Sequence, residues 1–219
     1  MAALRIKICG VTTEADARLA ARLGADAVGL NFYSRSPRYL DPATARPLLR
    51  ALPPFVEPVG VFVNAPLRDV FTVLNALGRV RAFQWHGDRR EVSDSFPFPL
   101  IAAFPVSDRG SLDAIRRYLD ACGAVGALPA AVLVDAHVPG EYGGTGRVAP
   151  WELLADFDPG VPVILAGGLT PENVAEAVRV VRPYGVDVAS GVESAPGRKD
   201  PEKLRRFLDR AREAAARLA

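Results

Sequence analysis

The chain has 219 residues, 49% of them hydrophobic and 24% charged, a balance that suits a globular protein and excludes collagen-like or disordered ones. A formal net charge of +2 leaves no field strong enough to argue for nucleic acid or an anionic membrane surface. No apolar run reaches the about eighteen residues of a membrane span, and two cysteines, Cys9 and Cys122, are too few for a disulfide scaffold.

Strand-like and helix-like segments alternate from the beginning. Leu4–Cys9 reads as a strand, followed by Gly10 and a helix whose apolar stripe is Leu19, Ala20 and Leu23, closed by Gly24. Ala27–Phe32 is a second strand, and the polar loop Tyr33–Tyr39 leads to a helix opened by Asp41-Pro42 and running to Leu52. Val59–Val63 is a third strand, before a helix carrying Val70, Leu74 and Leu77. Arg81–Trp85 is a fourth, ending at His86-Gly87; the polar stretch Asp88–Phe98 allows only a short or irregular helix. Leu100–Phe104 is a fifth strand and Ser107–Cys122 a helix. Ala131–Asp135 is a sixth strand, followed by the glycine-bearing loop Ala136–Arg147 and a short helix around Trp151–Leu154. The seventh strand, Pro162–Ala166, stops at Gly167-Gly168, and Thr170-Pro171-Glu172 predicts a helix from Pro171 to Val181. The eighth, Val186–Glu193, carries Ser190-Gly191 near its end, and a last helix begins at Asp200-Pro201.

Eight βα units with mostly continuous apolar strands predict an α/β fold, a single-domain (β/α)8 TIM barrel over residues 1–219. An open doubly-wound sheet would have fewer strands and one dominant Gly-rich first turn.

A barrel of this kind works at the C-terminal ends of its strands. There the sequence places Cys9, Asn31, Arg38, Gln84, His86, Asp135, Gly167, Gly168, Asp187, Ser190 and Gly191. The two glycine-bearing turns after strands seven and eight suggest a shared phosphate cradle, since bare backbone and the N–H groups of a following helix both favour an anion. Cys9 is a candidate base or nucleophile, its thiol expected in a positive field that favours thiolate. Asp135, ending an apolar strand, is a candidate general acid. Arg38, with Arg35 as the alternative, can offer a planar fork to a carboxylate or phosphate. His86 reads as a hydrogen-bonded loop residue. A metal site from Cys9, Cys122, His86 and His137 lacks zinc-ligand spacing and is set aside.

Taken together, Lys7-Ile8-Cys9-Gly10, Ser36-Pro37-Arg38-Tyr39, Gln84-Trp85-His86-Gly87, Asp135 with Gly143-Gly144-Thr145-Gly146, Leu165–Val174 and Val186–Glu193 resemble the phosphoribosylanthranilate isomerase family, from Lys7 to about Lys199. The resemblance implies a cofactor-independent, metal-free Amadori rearrangement of N-(5-phospho-β-D-ribosyl)anthranilate. Its product is 1-(2-carboxyphenylamino)-1-deoxy-D-ribulose 5-phosphate, in tryptophan biosynthesis. It further implies Cys9 as general base and Asp135 as general acid. Arg38 would hold the anthranilate carboxylate and Gly167, Gly168, Ser190 and Gly191 the phosphate, with Gln84 and Asp187 also at the substrate. Trp85 stands where the family usually has Leu, and the Phe96–Pro99 region is Pro-rich.

Rival readings make different demands. A phosphosugar epimerase would need metal-binding His and Asp at several strand ends, and the chain has two His. An indole-glycerol-phosphate synthase would need lysines at strand ends, whereas Lys7 lies inside the first strand and Lys199 and Lys203 near the end. A phosphate-binding barrel without catalysis would have no use for a Cys9–Asp135 pair. Met1–Lys7 lacks the long apolar region of a signal peptide, so the cytoplasm is the expected compartment. No nucleic-acid or membrane partner is expected, and the apolar loop residues Phe55 and Tyr142 are candidates for a homodimer contact.

Overall fold

In the computed structural model the described residues are 3–87, 97–135 and 151–218. Eight parallel strands close into a barrel in chain order: β1 (Arg5–Cys9), β2 (Ala27–Asn31), β3 (Glu57–Val63), β4 (Ala82–His86), β5 (Leu100–Pro105), β6 (Ala131–Asp135), β7 (Val163–Ala166) and β8 (Gly185–Val188). Pairing of β1 with both β2 and β8 closes the ring, with Cys9 opposite Gly29 and Lys7 opposite Asp187. Helices α1 (Glu14–Arg22), α2 (Pro42–Ala51), α3 (Leu67–Leu77), α4 (Arg109–Ala124), α5 (Val174–Val181) and α6 (Pro201–Ala216) stand between and after the strands. A short antiparallel hairpin, β9 (Glu193–Ala195) with β10 (Arg198–Lys199), separates β8 from α6.

Helix boundaries follow local chemistry. Thr13, Asp41, Asp108 and Asp200 cap α1, α2, α4 and α6, each accepting a backbone N–H of the first turn. Two expectations shift. Pro171–Asn173 forms a turn, and α5 begins at Val174: Asn173 Oδ1 accepts from Thr170 N–H at 2.8 Å and its amide donates to the Gly168 carbonyl at 2.9 Å, so the side chain ties the loop instead of opening the helix. The eighth strand ends at Val188, not Glu193, because Ser190–Val192 turns into a 3₁₀ helix. The helix around Trp151–Leu154 is a 3₁₀ turn, Trp151–Leu153. The expected irregular helix over Asp88–Phe98 and the loop Ala136–Arg147 fall mostly or wholly outside the described residues.

The period-two alternation of each strand sorts its side chains into two cores. Outward residues such as Ile6, Ile8, Val28, Leu30, Val132, Val134 and Leu165 pack under the helices, where Phe207, Leu204 and Leu208 of α6 and Leu74 of α3 are also fully buried. Trp85 is one of these outward residues, 6% exposed, so the bulky departure from Leu enlarges the barrel–helix layer and leaves the interior unchanged. Inside the barrel a smaller apolar cluster, Ala103, Ala131, Leu133, Ile164 and Ala166 with Ile101, comes from β5, β6 and β7. The opposite side of the interior is polar: Lys7 on β1, Gln84 on β4 and Asp187 on β8 are all buried.

Candidate active site

The C-terminal ends of the strands surround a cavity of about 460 Å³. Nine of the residues picked out from the sequence line it: Cys9, Arg38, Gln84, Asp135, Gly167, Gly168, Asp187, Ser190 and Gly191. Asn31 and His86 also contribute. Arg35 does not; its guanidinium lies by the Tyr33 ring, 6.0 Å from the centroid. Cys122 is buried on the inner side of α4 and takes no part. Among the described residues no three His, Cys, Asp or Glu side chains converge as metal ligands; His137 lies outside them.

Two loops form one end of the cavity. Gly167 and Gly168 both have positive φ, 90° and 61°, a backbone that side chains with a Cβ resist. Gly191 is bare for a different reason: a Cβ there would stand 1.9 Å from the Leu169 carbonyl oxygen, so the turns after β7 and β8 lie directly against each other. Their backbone N–H groups can therefore serve one anion.

Cys9 ends β1 with its side chain inward and is 9% exposed. Burial pushes the thiol up, Lys7 pulls it down, Asp187 pushes it up again and Lys199 opposes, with a net shift upward. The expected positive field is present, but desolvation outweighs it. Asp135 ends β6, three strands from β1 around the ring, and is half-buried at the rim.

Arg38 is held as a fork. Its Nε and Nη2 donate to Glu193 Oε1 and Oε2 at 2.9 and 2.6 Å. Glu193 also accepts from Lys199 Nζ at 2.9 Å. Burial pushes the Glu193 carboxyl up, but the hydrogen bonds from Arg38 and Lys199 outweigh it and hold it below the ordinary range. Gln84, 2% exposed, makes a 2.7 Å contact from Nε2 to His86 Nε2, while its Oε1 has no partner among the described residues. His86 is thus hydrogen-bonded as expected, but it ends β4 instead of lying in a loop.

Three buried charged residues that hold the site's side chains and strand ends escaped the sequence reading. Lys7 shares the inward face of β1 with Cys9, a period-two relation that was legible, and its Nζ reaches Asp187 Oδ1 at 2.9 Å. Glu193 and Lys199 belong to the β9–β10 hairpin, whose short strands carry no periodic signal.

The chain was compared with known proteins. The family model for N-(5'-phosphoribosyl)anthranilate (PRA) isomerase matches residues 6–210. An N-(5'-phosphoribosyl)anthranilate isomerase from Geotalea daltonii is 48% identical over 210 residues, covering 95% of this chain and 97% of that one. The crystal structure of phosphoribosyl anthranilate isomerase from Thermotoga maritima superposes with a TM-score of 0.84 at 38% identity, covering 96% and 99% of the two chains. A phosphoribosyl anthranilate isomerase in complex with reduced 1-(o-carboxyphenylamino)-1-deoxyribulose 5-phosphate superposes with a TM-score of 0.81 at 35% identity, over 96% and 99%. The match spans the barrel and both glycine-bearing turns: this chain belongs to the N-(5'-phosphoribosyl)anthranilate isomerase family.

Proposed function

We propose that this mouth carries out the family's Amadori rearrangement with Cys9 as general base and Asp135 as general acid, taking residues 1–219 as one barrel unit. The observation that carries the reading is the convergence of a buried thiol, a rim carboxyl, a clamped arginine and two adjoining bare-backbone turns on one cavity. Asp135 protonates the furanose ring oxygen and the C1–O bond breaks, leaving a protonated Schiff base. The iminium acidifies the C2–H. Cys9 as thiolate takes that proton, and the C–H electron pair becomes the C1=C2 bond of an enolamine, which tautomerises to the ketone. Each placed proton transfer is worth about 10²–10⁴-fold.

Binding follows from the same geometry. Arg38 spends Nε and Nη2 on Glu193, which aims the remaining edge of the fork at the anthranilate carboxylate. The backbone of Gly167, Gly168, Ser190 and Gly191 takes the phosphate. Gln84 lines the same cavity and is placed to contact the substrate. Asp187 lines the same wall and serves the ribosyl end. No cofactor or metal has a part in these steps.

The reading extends to setting and assembly. The cytoplasm suits such an enzyme, and among the described residues no helix is long and apolar enough to cross a membrane. Nucleic acid has no place in it. A homodimer is supported by Phe55, 96% exposed beside a second cavity of about 310 Å³ at the N-terminal end of the barrel, lined also by Glu57 and Tyr184. Tyr142 lies outside the described residues.

The test is the anthranilate-type fluorescence of freshly made phosphoribosylanthranilate after adding the purified chain without metal. Rapid loss is expected, with kcat lowered by at least about 10²-fold in both C9A and D135N and circular dichroism unchanged. Full activity in either variant would remove that residue's role.

A further inference from the structure

Lys7, buried on the same strand face as Cys9, has no part in the chemistry above. We propose that the Lys7 ammonium, anchored by Asp187, is the built-in counter-cation of the Cys9 thiolate and so a positioning residue for the base; this rests on the assignment of Cys9 as base.

Geometry carries the argument. Lys7 is 4% exposed, and its side chain enters the barrel interior two residues before Cys9 on the same strand face. Its Nζ is 2.9 Å from Asp187 Oδ1, the residue opposite it in register on β8. Gly29, opposite Cys9 on β2, leaves room for both side chains. A Cβ on Gly29 would lie 2.8 Å from Cys9 Sγ and 3.1 Å from Lys7 Nζ, so the thiol and the ammonium border the same bare patch of backbone.

The other two cations acting on Cys9, Lys199 and Arg38, share one carboxylate, Glu193. Lys199 Nζ donates to the Cys9 carbonyl at 2.7 Å, the Ala189 carbonyl at 3.1 Å and Glu193 at 2.9 Å, which makes it a clamp between β1 and the hairpin. The charge of Arg38 is matched by Glu193. Asp135 and His86 stand on β6 and β4 at the rim. A buried ion pair is a weak device for stability, since desolvation consumes most of its attraction, whereas buried charges gathered at a cleft are typical of working sites.

The charge balance suits the reaction. Thiolate, ammonium and carboxylate together carry one negative charge. When the C2–H bond breaks and the S–H bond forms, that charge moves into the substrate, neutralising its iminium, and the Lys7–Asp187 pair stays neutral. Burial pushes the thiol up; Lys7 is the largest influence pulling it down, and Asp187 opposes Lys7. Removing each partner should therefore move Cys9 in opposite directions.

The experiment is the rate of Cys9 alkylation by iodoacetamide across pH, read by mass spectrometry of the Cys9 peptide, in wild type, K7M and D187N. The alkylation profile of K7M should shift to higher pH, with kcat/KM near neutrality down about 10²-fold, and that of D187N to lower pH. Superimposable profiles, or shifts of the same sign in both, would overturn the proposal. If K7M fails to fold by circular dichroism, K7Q, which keeps a donor for Asp187, replaces it with the same expected sign. Retained activity in C9A would remove the base assignment alone, because the alkylation shift reads the Lys7–Cys9 coupling without turnover.

Discussion

Arg38 shows how a single residue acquires a purpose from its neighbours. Alone, a guanidinium in a polar loop is a solvated charge; here two of its donors are fixed by a carboxylate that is almost fully buried. Glu193→Gln keeps the shape and removes the charge-assisted fork. The expected result is a KM raised about tenfold, roughly 1.4 kcal/mol, with kcat changed far less, checked by steady-state fluorescence. An unchanged KM would show that Arg38 is positioned by other means. The same carboxylate leaves a mark on stability. Its folded pKa lies below the ordinary value, so the contribution is fully present above about pH 4.5 and is lost as pH falls through the depressed folded value. Urea midpoints of wild type and E193Q should differ near neutral pH and converge at strongly acidic pH; a gap that widens toward acid would contradict this sign.

At the scale of elements, the proposed phosphate end depends on the contact between two loops. The turn after β7 uses positive-φ glycines, and the turn after β8 presses Gly191 against the Leu169 carbonyl. Gly191→Ala would force a Cβ to within 1.9 Å of that oxygen, so the loops must separate. We expect KM for the phosphorylated substrate to rise at least about tenfold and competition by inorganic phosphate to weaken in proportion, both read by fluorescence kinetics; phosphate inhibition equal to wild type would place the anion elsewhere. The glycines themselves were legible in the sequence, but the late start of α5 and the 3₁₀ turn at Ser190–Val192 were not. Thr170-Pro171-Glu172 carries a helix-start pattern, and the competing bonds of Asn173 to Thr170 and Gly168 appear only when the loop is folded.

At the scale of the whole molecule, the two ends of the barrel divide the work. The C-terminal end holds the cavity lined by Cys9, Arg38 and Asp135, and the N-terminal end displays Phe55 beside a second cavity. An isologous contact in which each Phe55 enters its partner's cavity would hide both. Phe55→Asp should convert a dimer to a monomer in sedimentation velocity while leaving turnover in place, since the residue lies at the far end from the chemistry. A wild-type chain that sediments as a monomer would end the homodimer reading.

By itself the sequence determined the alternation of strands and helices, the count of eight and the strand ends that carry Cys9, Gln84, Asp135 and the glycine turns, because period-two and period-3.6 patterns, caps and strand-end residues are local properties. Only the tertiary structure decided that Arg38 and not Arg35 enters the cavity, that Glu193 holds Arg38 and Lys199 the end of β1, and that Lys7 meets a carboxylate 180 residues away. Those facts depend on closing β8 onto β1, and the free energy of placing a buried charge belongs to everything the closed ring brings around it.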